Sequence, residues 1–187
     1  MRTFVEGSVN RRYAIGGMAA AAAAAGFALP SRFQGRAITQ RGMAGGGLVR
    51  LESGDAAFSV VASRVSSEGQ DDVIVGSVKW VDEPAGLAFT STAITEYEVL
   101  ESPEKGGELR RIVGMMRLNE QEEYPFSINV LDAGEPGSGL DSIALIVGDG
   151  ATANGDATPA AGLGFSYAAA GEVIGDVQDV TFEIGGA

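Results

Sequence analysis

Six stretches of this chain carry a period of two, with mostly apolar residues at every second position, and that period limits what the chain can fold into more than any other feature. They are Phe58, Val60 and Ala62; Leu87, Phe89, Ser91, Ala93, Thr95, Tyr97 and Val99; Leu109, Arg111, Val113 and Met115; Tyr124, Phe126, Ile128 and Val130; Ile143, Leu145 and Val147; and Val180, Phe182 and Ile184. A period of two is the period of a β-strand, whose side chains point alternately to opposite faces. Ser, Thr, Glu, Arg and Asn fill the positions between. Strands that are half apolar and half polar belong to an antiparallel sheet with one buried and one wet face. Clusters of Gly, Pro and Asp punctuate them. The spacing predicts eight strands, at roughly 47–53, 56–66, 71–82, 86–100, 108–118, 123–132, 140–148 and 172–184. No interior segment of 12 or more residues carries a capped helical period.

Eight antiparallel strands must deal with their exposed edges, either by closing into a barrel of the lipocalin-like kind or by stacking as a two-sheet β-sandwich. The closed eight-stranded barrel is the favoured expectation for this all-β chain. Its predicted fourth strand spans 86–100, more than twice the usual length, and so long a strand has to bend. Gly76 and Gly114 lie inside predicted strands, where glycine is useful mainly at a kink or bulge. Trp80, the only Trp, is expected in the core or as a plug at a barrel end, with its N–H on a partner.

Composition removes much chemistry. There is no His and no Cys among 187 residues, which excludes a disulfide, an imidazole base, a thiol nucleophile and zinc sites of the Cys/His type. With 13 Lys+Arg against 25 Asp+Glu the chain carries a net charge of −12, a surface that repels nucleic acid phosphates. No nucleic acid partner is expected.

The beginning of the chain reads as an address. Residues 1–13 carry Arg2, Arg11 and Arg12, and Ala14 to Leu29 then run without a charge and include seven consecutive Ala. That order is the order of an export signal. The apolar part falls short of the roughly 20 residues that span a bilayer and is built of Ala and Gly, so no stable membrane span is expected after processing. Arg11-Arg12-Tyr13-Ala14-Ile15 resembles a twin-arginine (Tat) signal, with Arg32 and Arg36 following the apolar stretch; an ordinary secretory signal and an uncleaved anchor are the alternatives. Cleavage would fit after Ala28 or after Ala37, and nothing in the sequence chooses. The expected organisation is therefore a leader at 1–37, a flexible linker at 38–46 with its Gly run, and a barrel domain at 47–187 with a mobile loop at 149–164. Removal of 1–37 leaves 8 basic and 24 acidic groups, a charge of −16. The expected location is periplasmic, cell-surface or extracellular.

The segment from Tyr124 through Asp132-Ala133-Gly134-Glu135-Pro136-Gly137 to Asp141 and the apolar strand after it resembles small bacterial exported β-domains of the post-COAP-like type. Residues 72–100 and Gly171 to Ile184 are similar to the strands that precede and close such domains. The resemblance implies an extracytoplasmic β-fold and no activity.

Three candidate sites follow. Asp132, Glu135 and Asp141 read first as turn caps whose carboxylates accept backbone N–H groups, and second as oxygen ligands for calcium, the only cofactor considered, although the spacing of an EF-hand is absent. Phe58, Phe89, Phe126 and Phe182 would line a cavity for a small apolar ligand if the barrel interior were open. Tyr97, Tyr124 and Tyr167 with nearby carboxylates would serve a lyase, cyclase or isomerase. Arg111 and Arg117 share one face of their strand and Arg110 takes the other, while Asp82-Glu83 and Glu120–Glu123 read as solvated turn residues. No catalytic residue is assigned. The leading reading is a non-catalytic exported β-domain acting as an interaction or accessory module; the carrier and the enzyme are the alternatives, and an unidentified protein or a small apolar ligand would be the partner.

Overall fold

A computed structural model describes residues 31–33, 37–101, 107–133, 141–151 and 160–184, with backbone alone for Arg32, Glu101 and 180–184. Eight antiparallel strands follow one another around a closed barrel: β1 (Ile38–Leu51), β2 (Gly54–Ser66), β3 (Val73–Asp82), β4 (Leu87–Glu101), β5 (Glu108–Leu118), β6 (Glu122–Asp132), β7 (Ser142–Gly148) and β8 (Ser166–Ile184). β8 pairs with β1 from Ile38↔Ile184 to Val49↔Val173 and closes the ring. The two-sheet sandwich is thereby set aside. Among the described residues the one helical element is a 3-10 turn at Ser31–Phe33, and no helix is long and apolar enough to cross a membrane.

Two boundaries differ from the sequence reading. The expected linker at 38–46 is strand: β1 pairs with β2 from Thr39↔Ser66 onward and with β8 along the same stretch. Its glycines are there for close approach. A Cβ on Gly42 would lie 2.2 Å from the Ala62 carbonyl oxygen, and one on Gly47 would lie 2.4 Å from that of Ile174. β8 in turn begins at Ser166, ahead of the expected start of the last strand at 172. The base of that loop is pinned: Gly150 N–H donates to Ala160 O and Ala160 N–H to Ala151 O, both at 2.8 Å, and Leu163 N–H donates to the Asp149 carboxylate at 2.8 Å. Residues 152–159 of the expected mobile loop lie outside the described residues.

The long fourth strand bends, and it does so by two bulges against β5, between Ser91 and Ala93 and between Ile94 and Glu96. Each extra residue reverses which face the next side chain takes. Phe89 therefore points inward, Ile94 packs on the core in the middle of the strand, and Tyr97 is inward again, so the unbroken alternation expected from Leu87 to Val99 is interrupted at Ala93 and Thr95, which are exposed. The first bulge also begins where β3 and β4 part: their pairing covers Lys79–Asp82 with Leu87–Thr90. Side chains tie the strands beyond that point. Val78 N–H donates to Ser91 Oγ at 2.8 Å, and the Arg64 guanidinium donates to Tyr97 O at 2.9 Å.

The barrel interior is packed. One cluster joins Met43, Val49, Phe58, Val60, Trp80, Phe89, Ile112, Met116, Phe126, Ile128, Leu145 and Val147 with buried neighbours from every strand. At about 25 cal/mol per Å² of apolar surface, this cluster is the main stabilising contribution. A second cluster sits outside the barrel. Phe58, Val60 and Ala62 face inward on β2 and Val78 and Trp80 on β3, so Val65, Val73 and Val75 face outward; there they meet Ile38 of β1 and are covered by Phe33, 3% exposed.

Candidate functional site

The connections β1–β2, β3–β4, β5–β6 and β7–β8 gather at one end of the barrel, and an aromatic chain crosses it. Tyr124 stacks on Phe165 with ring centroids 4.7 Å apart, Phe165 meets Phe89 at 6.2 Å, and Phe89 meets Tyr167 at 5.0 Å. Trp80, fully buried, donates its indole N–H to Tyr167 Oη at 2.9 Å. Tyr167 donates onward to Asp82 Oδ2 at 2.8 Å, and Asp82 Oδ1 accepts the Ala85 N–H at 3.0 Å. The expected solvated turn carboxylate at Asp82 is thus 3% exposed, because it caps its own β3–β4 turn and receives a phenol from β8.

A cleft of about 440 Å³ opens beside this relay, between the β1–β2 turn and the start of β8. Leu51, Glu52, Ser53, Asp82, Ala85 and Tyr167 line it, with Ala168–Ala170 as one wall. Small side chains on that wall leave the space open. Burial pushes the Tyr167 phenol well above its ordinary 10.0, and its hydrogen bond to the Asp82 carboxylate pushes the same way; the Trp80 N–H opposes both. At neutral pH Tyr167 therefore keeps its proton and hands it to Asp82 as a hydrogen bond. The relay is a clip that joins the end of β3 to the start of β8.

The opposite end of the barrel is ionic. Arg110 lies in phase with Ile112 and Met116 on the inner face of β5 and is 2% exposed. Its guanidinium binds the carboxylates of Glu108 and Asp179, and its Nη1 also donates to Glu108 O at 3.0 Å. Both carboxylates are half-exposed, so the pair forms a lid whose outer rim is wet. Burial raises the Tyr97 phenol, and the neighbouring Arg110 charge opposes that rise. On the outer face Arg111 reaches Glu96 and Glu98, each at 3.4 Å, the surface ion pairing expected of it; Arg117 of the same face is exposed.

The sequence-derived sites fare differently. Asp141 is the cap it was expected to be: 3% exposed, its Oδ1 accepts Ala133 N–H at 3.1 Å across the β6–β7 connection, while its carbonyl accepts Val173 N–H at 2.9 Å. Asp132 ends β6, and Glu135 lies outside the described residues, as do the leader residues Arg11 and Arg12. Among the described residues no three acidic side chains gather as a metal site. Phe58, Phe89 and Phe126 are 4%, 1% and 0% exposed and belong to the packed core, and none of them lines the cleft. The Phe182 side chain lies outside the described set. Tyr124 and Tyr167 share the aromatic end while Tyr97 is at the ionic end, so the three do not converge. Comparison with known proteins adds no relative. No protein-family model, no curated protein and no solved structure matches this chain.

Sequence reasoning missed the buried Arg110 and the Asp82–Tyr167 contact. The first was legible as an Arg in phase with Ile112; the second joins positions 85 residues apart and leaves no local signal.

Proposed function

We propose that this chain is an exported, non-catalytic β-barrel that acts as an interaction or accessory module in the cell envelope or outside the cell. The observation that carries the reading is the packed interior. Burial of Phe58, Phe89, Phe126 and Trp80 in one core cluster supports recognition at the ends and outer surface of the barrel over carriage of an apolar ligand along its axis. The tyrosines weigh against an enzyme, since Tyr167 and Tyr97 are engaged by Asp82 and Arg110 at opposite ends. Export rests on the Arg11-Arg12 leader, and the resemblance of the Tyr124–Ile143 hairpin to exported β-domains points the same way.

Two measurements test the reading. In a Tat-competent bacterium the full chain should accumulate outside the cytoplasm, and the double variant R11K/R12K should stay inside; equal export of both would remove the Tat leader from the reading. The purified barrel should give no saturable one-to-one enhancement of an apolar fluorescent probe such as 1-N-phenylnaphthylamine. Stoichiometric uptake, competed by fatty acid, would replace the module with the carrier.

A further inference from the structure

We propose that Phe33 and Ala37 stay on the folded barrel as a permanent strap ahead of β1, and that the leader is therefore cut after Ala28 and not after Ala37. The cleavage half of this rests on the export reading above.

Small residues precede both candidate positions, Gly26-Phe27-Ala28 and Gly35-Arg36-Ala37, so a signal peptidase that selects small side chains finds both acceptable. The fold separates them. Ile38, the residue after the second position, is the first residue of β1; it is 5% exposed, lies opposite Ile184, and is followed by Thr39 opposite Ser66. The carbonyl of Ala37 accepts the Ser67 hydroxyl at 2.8 Å. A protease must bind several residues on each side of its scissile bond in extended, accessible form. At Ala37–Ile38 that would require β1 to peel from both of its neighbours. A Tat passenger reaches the peptidase already folded, so this bond is protected when the enzyme meets it.

The strap also has its own packing. Phe33 is 3% exposed and covers Val65, fully buried, together with Ile38 and the half-buried Val73 and Val75. These side chains lie on the outer face of β1, β2 and β3, where the strand period would otherwise present them to water. Loss of 29–37 would uncover an apolar patch at the very strands whose other flank, toward β4, is only partly paired. The patch has a built-in occupant. Retention of 29–37 also keeps Arg32 and Arg36, giving a mature chain with 10 basic and 24 acidic residues and a charge of −14.

The test uses the full chain exported from a Tat-competent host and reads the intact mass of the extracytoplasmic form. A mature protein beginning at Leu29 is expected. One beginning at Ile38, or an exported chain with its leader intact, overturns the cleavage site while export stands; retention in the cytoplasm overturns the export reading and the cleavage with it. The strap is decided separately by Phe33→Ser in the full chain, followed by the emission of Trp80 during heating. A fall in Tm of about 5 °C or more is expected from uncovering Val65 and Ile38. An unchanged Tm overturns the strap whatever the mass shows.

Discussion

At the scale of single residues, the barrel ends are held by two polar side chains, Arg110 at one end and Tyr167 at the other. Tyr167 is the more informative, because its phenol is both donor and acceptor. Tyr167→Phe leaves the Trp80 indole N–H without its acceptor and Asp82 Oδ2 without its donor, and equilibrium unfolding in urea should show a loss of about 1–3 kcal/mol at neutral pH. The pH dependence has a definite sign. Below pH 10 the phenol is protonated in both the folded and the unfolded chain and contributes no slope. Above its ordinary value of 10.0 the unfolded chain loses the proton while the folded chain keeps it, so stability falls as pH rises. The slope from this group is at most about 1.4 kcal/mol per pH unit, and less after solvent screening of a half-buried ring. Unfolding curves between pH 9 and 12 should be steeper for the native sequence than for Tyr167→Phe; parallel curves would remove this account. Tyr97, also raised by burial, adds to the fall in both proteins.

Among the elements, β4 shows how sequence and structure part company. Its length predicted a bend, and the bend is there, but the two bulges that make it reverse the inward face between Ser91 and Tyr97. Opposite them sits Gly114, one of the two strand glycines that suggested curvature; a Cβ there would lie 2.0 Å from the Ala93 carbonyl oxygen and 3.0 Å from the Phe126 ring. Backbone cannot move aside as a flexible side chain can. Gly114→Ala is expected to cost about 1–3 kcal/mol in thermal or chemical unfolding, with no effect on the Asp82–Tyr167 end. Strands β6 and β7 were legible because long apolar side chains recur at every second position along Tyr124–Val130 and Ile143–Val147, whereas β5 was legible as a strand with its faces exchanged: Arg110, Ile112 and Met116 face the core, and the expected set Leu109, Arg111, Val113 and Met115 takes the other side. The first half of β1 and the start of β8 were not legible. Gly42–Gly47 and Ala168–Ala170 carry little contrast between faces, so a period of two leaves little trace in them; at Gly42, Gly45 and Gly47 close backbone approach leaves no room for a Cβ. Phe33 was hidden for another reason: an aromatic residue inside the stretch expected to be a leader gives no hint that it packs on Val65 and Ile38. The candidate site was less legible than the fold, since the cleft draws on β1, β3 and β8 and the relay joins residues far apart in sequence.

For the molecule as a whole, the dominant property is charge of one sign on a small closed surface. Carboxylates outnumber basic groups 25 to 13 over the full chain, and such an excess destabilises the compact state through self-repulsion that salt screens within a Debye length of about 10 Å at 0.1 M. Tm should therefore rise between 10 mM and 1 M NaCl, measured by differential scanning calorimetry; a fall would mean that the screened ion pairs of Arg110 and Arg111 outweigh the repulsion. The seam between the first and last strands has its own consequence. Ile38 cannot find Ile184 until nearly the whole polypeptide has been synthesised. A nascent chain stalled or truncated before β8 leaves one open sheet with bare edges at β1 and β7, and contacts between residues so distant are the slow ones to form. Ring closure thus waits for the last strand, whose arrival removes both bare edges in a single step.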